Sequence, residues 1–515
     1  MLGLLGLLGK RSGKGQQHQS YRAQALVIGS GAGGAVTAYK LAQAGMDVLV
    51  LEEGPEVAAS EYGKWRPTQT FRRMARQGGS TVAIGVGDSP TINLLTGMAV
   101  GGSSTLTGGV CFRIPEEVHE EWVQHLGDDS LSRASMERFY QEIESISRVK
   151  EVPKADRSRS TVLFAEGAER LGLDVKPLRR NTDGCVGSSR CNFGCPKQAK
   201  LSVDLTFLPM ARALGAQVKS LHRTERLILE GDRVVGARGV ILEGDGGDWR
   251  QVGTFEARAD LVVLAAGTIH SPLLLMASGL SKASGQVGRN LTLHPSFRMM
   301  ARFEEPVKAW RGALQSAYIN DGLGDDRLIL VSAFAPPNIL AAAMHGVGPS
   351  LMARVKEMAN MATFGGMVHD DAGGRVWRGP GREPIVTYKL SGRDKAAMFE
   401  GLQWLARCFF EAGAKQVIPP VFGMQPLNSP DDVKRLDASV VPAGRVESLS
   451  FHPLGTCRMG KSADEAVTDT QGRVFGVQGL WIADGSVLPT SVGVNTQIPI
   501  MTMAARVASN ILGGA

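Results

Sequence analysis

The clearest pattern along the chain is a short apolar run, Ala25–Ile28, that ends in the glycine turn Gly29-x-Gly31-x-x-Gly34. Four consecutive apolar residues suit a strand buried on both faces. Past the turn, apolar positions recur at helical spacing as far as Leu41 and Ala44, and Gly45 closes the helix. A second apolar run, Val48–Leu51, ends in Glu52. Strand, turn, helix, strand and acid in that order predict a dinucleotide-binding unit. The glycines let main chain approach a pyrophosphate at a helix N-terminus, and Glu52 is placed to bind a ribose hydroxyl.

Three later stretches extend this pattern. Residues 99–109, AVGGSSTLTGG, form a small-residue loop in which Gly101, Gly102, Ser103 and Ser104 can turn backbone N–H groups toward a ligand. Asp260–Ala266 reads as a buried strand ending at Gly267, and Ser271-Pro272 is expected to open a helix, where a missing N–H costs nothing. Leu480–Ala483 reads as a strand ending in Asp484-Gly485. A helix from near Thr496 follows, with Ile500, Met503 and Val507 on its apolar face. An Asp-Gly turn between strand and helix suits a second contact with the dinucleotide.

Residues 296–444 have no nucleotide pattern. Phe297–Phe303, Arg327–Phe334 and Ile385–Tyr388 read as strands, and a helix runs from about Arg393 to Ala412, capped by Ser391. Between them Met344, Met352, Met358, Met361 and Met367 are closely spaced, and Leu351, Val355, Met358 and Ala362 share one helical face. That face reads as core packing or as a lid over an apolar channel.

The 43% hydrophobic and 21% charged content is that of a folded chain, and 515 residues bury a large core without crosslinks. Net charge is +7, enough to steer an anionic cofactor, an acidic partner or an anionic membrane surface. No long basic tract interleaved with aromatics exists, which argues against nucleic acid as the partner. The densest basic stretch, Lys64 to Arg76, reads as a solvated helix face. The start, MLGLLGLLGKRSGKG, has roughly eight apolar residues against the ~20 needed to span a bilayer. Residues 1–19 are expected to be a mobile tail, at most a peripheral membrane anchor. Six cysteines without regular pairing suggest a reducing compartment, so the expected location is cytoplasmic or peripheral to a membrane.

Three of those cysteines, Cys185, Cys191 and Cys195, fall within CVGSSRCNFGC. Three thiols are one short of a closed zinc site. The spacing, with Pro196 after the last, suits an iron–sulfur cluster held by three thiolates. A disulfide plus a free thiol is the alternative.

Five blocks, in order, carry a resemblance: the glycine turn with Glu52; AVGGSSTLTGG; AAGTIHSPLLLMASGL at 265–280; VGRNLTLHP at 287–295; and HPLGTCRMG at 452–460 with the Asp484–Asn495 region. The chain resembles the glucose–methanol–choline (GMC) oxidoreductases, FAD enzymes that oxidise alcohols. The resemblance implies an α/β protein. A Rossmann-like FAD-binding domain would use residues 20–115, 200–295 and 445–515. A substrate domain, an antiparallel sheet flanked by helices, would use 116–199 and 296–444 and carry the cysteine-rich loop 185–195.

It also implies His452 as the base that removes the hydroxyl proton while hydride passes to flavin N5. Asn495 falls at the family's second catalytic position. The product is an aldehyde or ketone, and the methionine face favours a hydrophobic or bulky primary or secondary alcohol. The chain departs from the family pattern at three places. Thr107 stands where Asn is frequent, Thr496 where Pro is usual, and Thr105 where some relatives attach flavin through His. Non-covalent FAD is therefore expected. Two other outcomes are compatible with the resemblance. One is a sugar dehydrogenase passing electrons through a [3Fe-4S] cluster to a protein partner; the other is a non-redox lyase. His294 reads as structural.

Overall fold

The computed structural model describes residues 17–280, 284–324, 326–333, 336–342, 344 and 346–513. The strand Gln17–Ile28 pairs in parallel with Val48–Leu51 on one side and Arg250–Leu264 on the other. Gln217–Lys219 extends the first edge, also in parallel, and Leu480–Ile482 lies parallel to the end of Arg250–Leu264. The antiparallel strands Arg233–Glu243 and His222–Glu230 complete a seven-stranded sheet. The helix Ala32–Gln43 follows the glycine turn as the spacing predicts, and Gln497–Ile511 packs against it. Leu26, Val27, Val50, Val262 and Ile482 are fully buried, which explains why these strands read as unbroken apolar runs. The first strand begins at Gln17, so residues 17–19 are sheet rather than tail, while residues 1–16 lie outside the described residues.

The second sheet has eleven strands and is mostly antiparallel. Its centre is Ser296–Arg302, paired with Met361–Val368, which pairs in turn with Leu328–Ser332. The helix Gly392–Glu411 covers this sheet and starts at Ser391, whose hydroxyl and Asp394 form a reciprocal cap. Thr81–Gly85, Ile92–Leu94 and Ser448–Ser450 also join this sheet, although their sequence positions fall in the segments read as FAD-binding. Two of their pairings are parallel, between segments far apart in sequence, and local spacing carries no signal of that kind.

Two expectations change. The methionine stretch is not one helix: a helix ends at Lys356, a single turn covers Met358–Asn360, and Met361–Val368 is an interior strand of the second sheet. Strand pairing on both sides overrides the helical spacing. Met344, Met358, Met361 and Met367 are buried and only Met352 is largely exposed, so the stretch is mainly core. Second, the helix after Leu264 begins at Gly267 and Pro272 lies inside it. The carbonyl of Thr268, which proline cannot meet, accepts the hydroxyl of Thr456 instead. Among the described residues no helix is long and apolar enough to cross a membrane. The expected strand end Phe334, together with His345, lies outside the described residues.

Candidate active site

The parallel strands end together. Ile28 leads into Gly29, Leu51 into Glu52, Leu264 into Ala265–Gly267, and Ile482 into Ala483–Gly485. Ligands bind open α/β sheets at this carboxyl edge. A cavity of about 1290 Å³ starts here and runs between the two sheets. Drug-sized ligands fill pockets of about 300–1,000 Å³, so this one has room for a dinucleotide and a second small molecule.

Main chain builds the first end. Gly29 has φ +105°, and a Cβ there would lie 2.2 Å from the Ala265 carbonyl oxygen. At Gly34 it would lie 2.0 Å from the Gly29 oxygen, and at Gly33 1.9 Å from the Ala483 oxygen. At Gly31 it would meet only the Gly102 Cα, at 3.8 Å. Gly29, Gly33 and Gly34 thus fit strand, helix and neighbouring loops together, while Gly31 faces open space for a ligand. Gly34 and Gly101 do not line the cavity; Gly33, which the motif spacing does not single out, does.

Glu52 is buried. One carboxylate oxygen accepts the Ser30 amide at 3.1 Å and the Ser30 hydroxyl at 2.7 Å, and the other accepts the Gly54 amide at 2.8 Å. Burial outweighs these bonds and raises its pKa above the usual carboxylate value. Ser30 also accepts the Gly101 amide at 3.1 Å, which ties the loop 99–109 to the glycine turn. Within that loop the Ser103 hydroxyl accepts the Gly97 amide and the Ser104 hydroxyl donates to the Gly101 carbonyl, so both shape the loop. Asp484 accepts from the Gly267 amide and the Ser271 hydroxyl on one oxygen and from Ser486 on the other. It pins the second turn against the first, and Gly485 lines the cavity beside it. Arg76, read as part of a solvated face, is folded onto Glu53 at 2.6 Å and lines the cavity with His270. Burial, with Arg76 nearby, lowers His270 to about 3.

Side chains build the other end. His452 follows the strand Ser448–Ser450, and its amide donates to the Ser450 hydroxyl at 3.1 Å. The Thr268 hydroxyl holds the Pro453 carbonyl at 2.6 Å, so the helix at Gly267 fixes the segment from behind. His452 Nε2 stands 3.0 Å from Asn495 Nδ2. With Asn495 donating, Nε2 keeps its lone pair and the ring is neutral. Burial lowers the His452 pKa to about 4, which favours that neutral form. His452 Nδ1, Asn495 Oδ1 and Gln497 Nε2 are buried with no hydrogen-bond partner among the described residues. Buried polar atoms are rarely left so, and all three residues line the cavity.

Below the pair is a network that the spacing did not reveal. Asp370 accepts the amides of Leu293 and His294 at 2.8 and 2.9 Å, the Ser491 hydroxyl at 3.1 Å and the Tyr388 hydroxyl. Burial pushes Asp370 up to about 6. His294 has φ +48° and accepts the Gly493 amide at 3.1 Å, and its ring lies edge-on to His452 at 5.4 Å between centroids. Asp370 therefore ties the stretch under His452 to the stretch that carries Asn495. His294, read as structural from its sequence position, is in direct contact with the candidate base. His119, which stands among acids in the sequence, is buried between the Leu131 carbonyl and the Tyr140 hydroxyl.

The three cysteines of the loop are not gathered into a metal-binding group in this structure. Among the described residues no three His, Cys, Asp or Glu side chains are placed to hold a metal ion, and all six thiols are free. Cys191 and Cys195 are buried while Cys185 is half-exposed, and the Cys191 sulfur accepts from Arg180 at 2.9 Å. Neither the three-thiolate cluster nor the disulfide has support in this geometry. Spacing along the chain gives three thiols in eleven residues, and of these Cys191 is the one whose sulfur holds a hydrogen bond among the described residues.

Family models described as GMC oxidoreductase match residues 23–296 and 378–504. An uncharacterised GMC-type oxidoreductase of Mycobacterium tuberculosis is 36% identical over 95% of this chain and 75% of its own. A long-chain-alcohol oxidase of Arabidopsis thaliana is 29% identical over 95% of this chain and 67% of its own. Among solved structures, pyridoxine 4-oxidase from Mesorbium loti superposes with a TM-score of 0.73 at 19% identity, over 95% of this chain and 98% of that one. Aspergillus oryzae formate oxidase gives 0.72 at 18%, over 96% and 98%.

Proposed function

Because the chain belongs to the GMC oxidoreductase family, with one family model spanning residues 23–296, we propose that it binds FAD and oxidises an alcohol to an aldehyde or ketone. The observation that carries this reading is the His452–Asn495 pair, 3.0 Å apart, in the same cavity as the glycine cradle. The residues fit the cofactor: Gly31 leaves room where a side chain would intrude, and Glu52 is an acceptor at the ribose position. FAD, when bound, supplies the hydride acceptor. Thr105 is buried with its hydroxyl on the Gly102 carbonyl at 2.8 Å, in keeping with a non-covalent cofactor.

The remaining work falls to side chains of this chain. Once the Asn495 amide turns from Nε2 to the substrate oxygen, His452 Nε2 receives the hydroxyl proton, and its lowered pKa keeps it unprotonated at neutral pH. The Asn495 amide holds the substrate oxygen and polarises the charge that develops on it. Phe297, Leu314, Val331, Met367 and Phe451 line the cavity toward the second sheet and exclude water. Such a wall suits a hydrophobic or bulky alcohol, the class named for the Arabidopsis relative.

Purified protein is expected to carry flavin that denaturation releases. Anaerobic mixing with fatty and aryl alcohols should bleach it, and small polyols should not. Flavin that no alcohol bleaches would place the protein with the non-redox lyases, and turnover confined to sugars would reverse the substrate assignment.

A further inference from the structure

The cysteine-rich segment has a task that its thiols do not explain. Every carbonyl from Ser104 to Gly108 is held by a side chain of residues 180–200. Lys200 Nζ donates to the oxygens of Ser104, Thr105 and Thr107 at 3.1, 2.7 and 3.0 Å. Asn192 Nδ2 donates to the Leu106 oxygen at 2.9 Å, and Arg180 donates to the Gly108 oxygen at 3.1 and 2.6 Å. Five successive carbonyls are thus drawn to one side, and the loop that carries them lines the cavity through Ser104, Thr107 and Gly108. This is the chemistry end of the cavity, since the Thr107 hydroxyl lies 3.0 Å from Gln497, two residues beyond Asn495.

The charges are unusual. Arg180 is 1% exposed and Lys200 2% exposed, and among the described residues neither has a carboxylate at ion-pair distance. Removing a cation from water is costly unless something compensates. Lys200 is compensated in part: three acceptors match the three donors of an ammonium. Burial lowers its pKa to about 8, which leaves it charged at neutral pH. Arg180 stays charged and rests on the Cys191 sulfur at 2.9 Å. Asp204 acts on Lys200 from beyond ion-pair distance and offsets its charge only in part, so two buried cations sit directly behind the loop.

We infer that Arg180 and Lys200 set the reduction potential of the flavin, their buried charges acting through the loop 104–108 to stabilise negative charge on the reduced cofactor. The inference rests on the FAD reading above and adds to it a role for the cysteine-rich segment, which becomes an electrostatic backing. Charge acts more strongly where buried protein replaces water around it. Asn192 holds the same loop without charge and serves as the internal control.

The probe is sulfite, an anion that adds to oxidised flavin more tightly when nearby positive charge stabilises the product. Lys200→Met, Arg180→Gln and Asn192→Ala holoenzymes would be titrated with sulfite, and their midpoint potentials measured. Lys200→Met is expected to lose at least tenfold in sulfite affinity and to drop in potential, a tenfold change in a two-electron equilibrium being about 30 mV. Arg180→Gln, which keeps a donor for Gly108, is expected to move the same way, and it carries the test if Lys200→Met does not fold. Asn192→Ala should stay within about threefold of the parent. Unchanged affinity and potential in a flavin-loaded Lys200→Met or Arg180→Gln protein, or an equal shift in Asn192→Ala, overturns the inference. A parent protein that binds no flavin defeats the FAD reading itself, a separate result.

Discussion

At the Glu52 end the cavity wall is main chain, set by residues within a few positions of one another. At the His452 end it is side chains, among them Thr268, His452, Asn495 and Gln497, backed by a network through His294, Asp370 and Ser491, and these residues meet only in the folded protein. The first end achieves its shape by omission: three glycines would each put a Cβ within 2.2 Å of a carbonyl oxygen. The second achieves it by connection, each polar group fixed by another. An omission is visible in a sequence as a motif. A connection between distant residues is not.

The largest expected effect is at the connected end. His452→Ala should lower the rate of flavin bleaching by about two orders of magnitude or more, with the flavin spectrum and occupancy kept. Normal bleaching in that variant would remove His452 from the role of base. At the other end the same logic separates two neighbouring glycines. Gly33→Ala forces a Cβ to 1.9 Å from the Ala483 oxygen and should destabilise the fold by about 1–3 kcal/mol, read as a lower melting temperature even without flavin. Gly31→Ala meets nothing nearer than 3.8 Å and should melt like the parent as apoprotein but bind FAD more weakly. If the two variants behave alike, the division between packing and ligand-facing glycines is wrong.

What could be read from the sequence follows the same line. The βαβ unit, the strand before Asp484, the helix from Gln497 and the helix capped by Ser391 all lie where apolar spacing and caps put them. His452 and Asn495 were found through family blocks, since neither residue alone announces chemistry, and the structure brings them within 3.0 Å. Asp370 and Gln497 carried no local signal. Asp370 sits at a strand end beside His369 and Asp371, as an ordinary surface acid would, and only the fold turns it toward Leu293, His294 and Ser491. The methionine stretch misled because Leu351, Val355, Met358 and Ala362 satisfy a helical period by coincidence, across a boundary between helix and strand.

The connected end should also respond to pH in two steps. Asp370 titrates near 6, raised by burial, and once protonated it must release one of its four donors. His452 titrates near 4, and below that it is no longer a base. The bleaching rate is expected to fall severalfold around pH 6 and to collapse near pH 4. Asp370→Asn should cost about tenfold at neutral pH and remove the upper step while leaving the lower one. Stability follows with opposite signs. The raised Asp370 contributes stability that is full below 3.8 and lost as pH rises through about 6. The lowered His452 contributes stability that is full above 6.5 and lost as pH falls toward about 4, on the order of 3 kcal/mol. A single acid limb at 6.5, unchanged in Asp370→Asn, would contradict both assignments.

The smallest effects are expected in the cysteine loop, where they sharpen the contrast between a connection and mere proximity. Cys191 is 6% exposed and its sulfur is the second partner of Arg180, whose other bonds go to Gly108. Cys191→Ala leaves a buried guanidinium donor without an acceptor, a loss of about 1–3 kcal/mol. Cys191→Ser restores an acceptor and should recover part of it. Cys185 is half-exposed, and Cys185→Ala should change stability by no more than about 0.5 kcal/mol. Thermal melts of the three flavin-loaded variants decide the matter. If Cys185→Ala and Cys191→Ala fall together by several kcal/mol, the thiols act as one unit after all, and the loop must hold something in common between them. If only Cys191→Ala falls, what matters in this loop is the single contact with Arg180, and the clustering of cysteines along the chain has no counterpart in space.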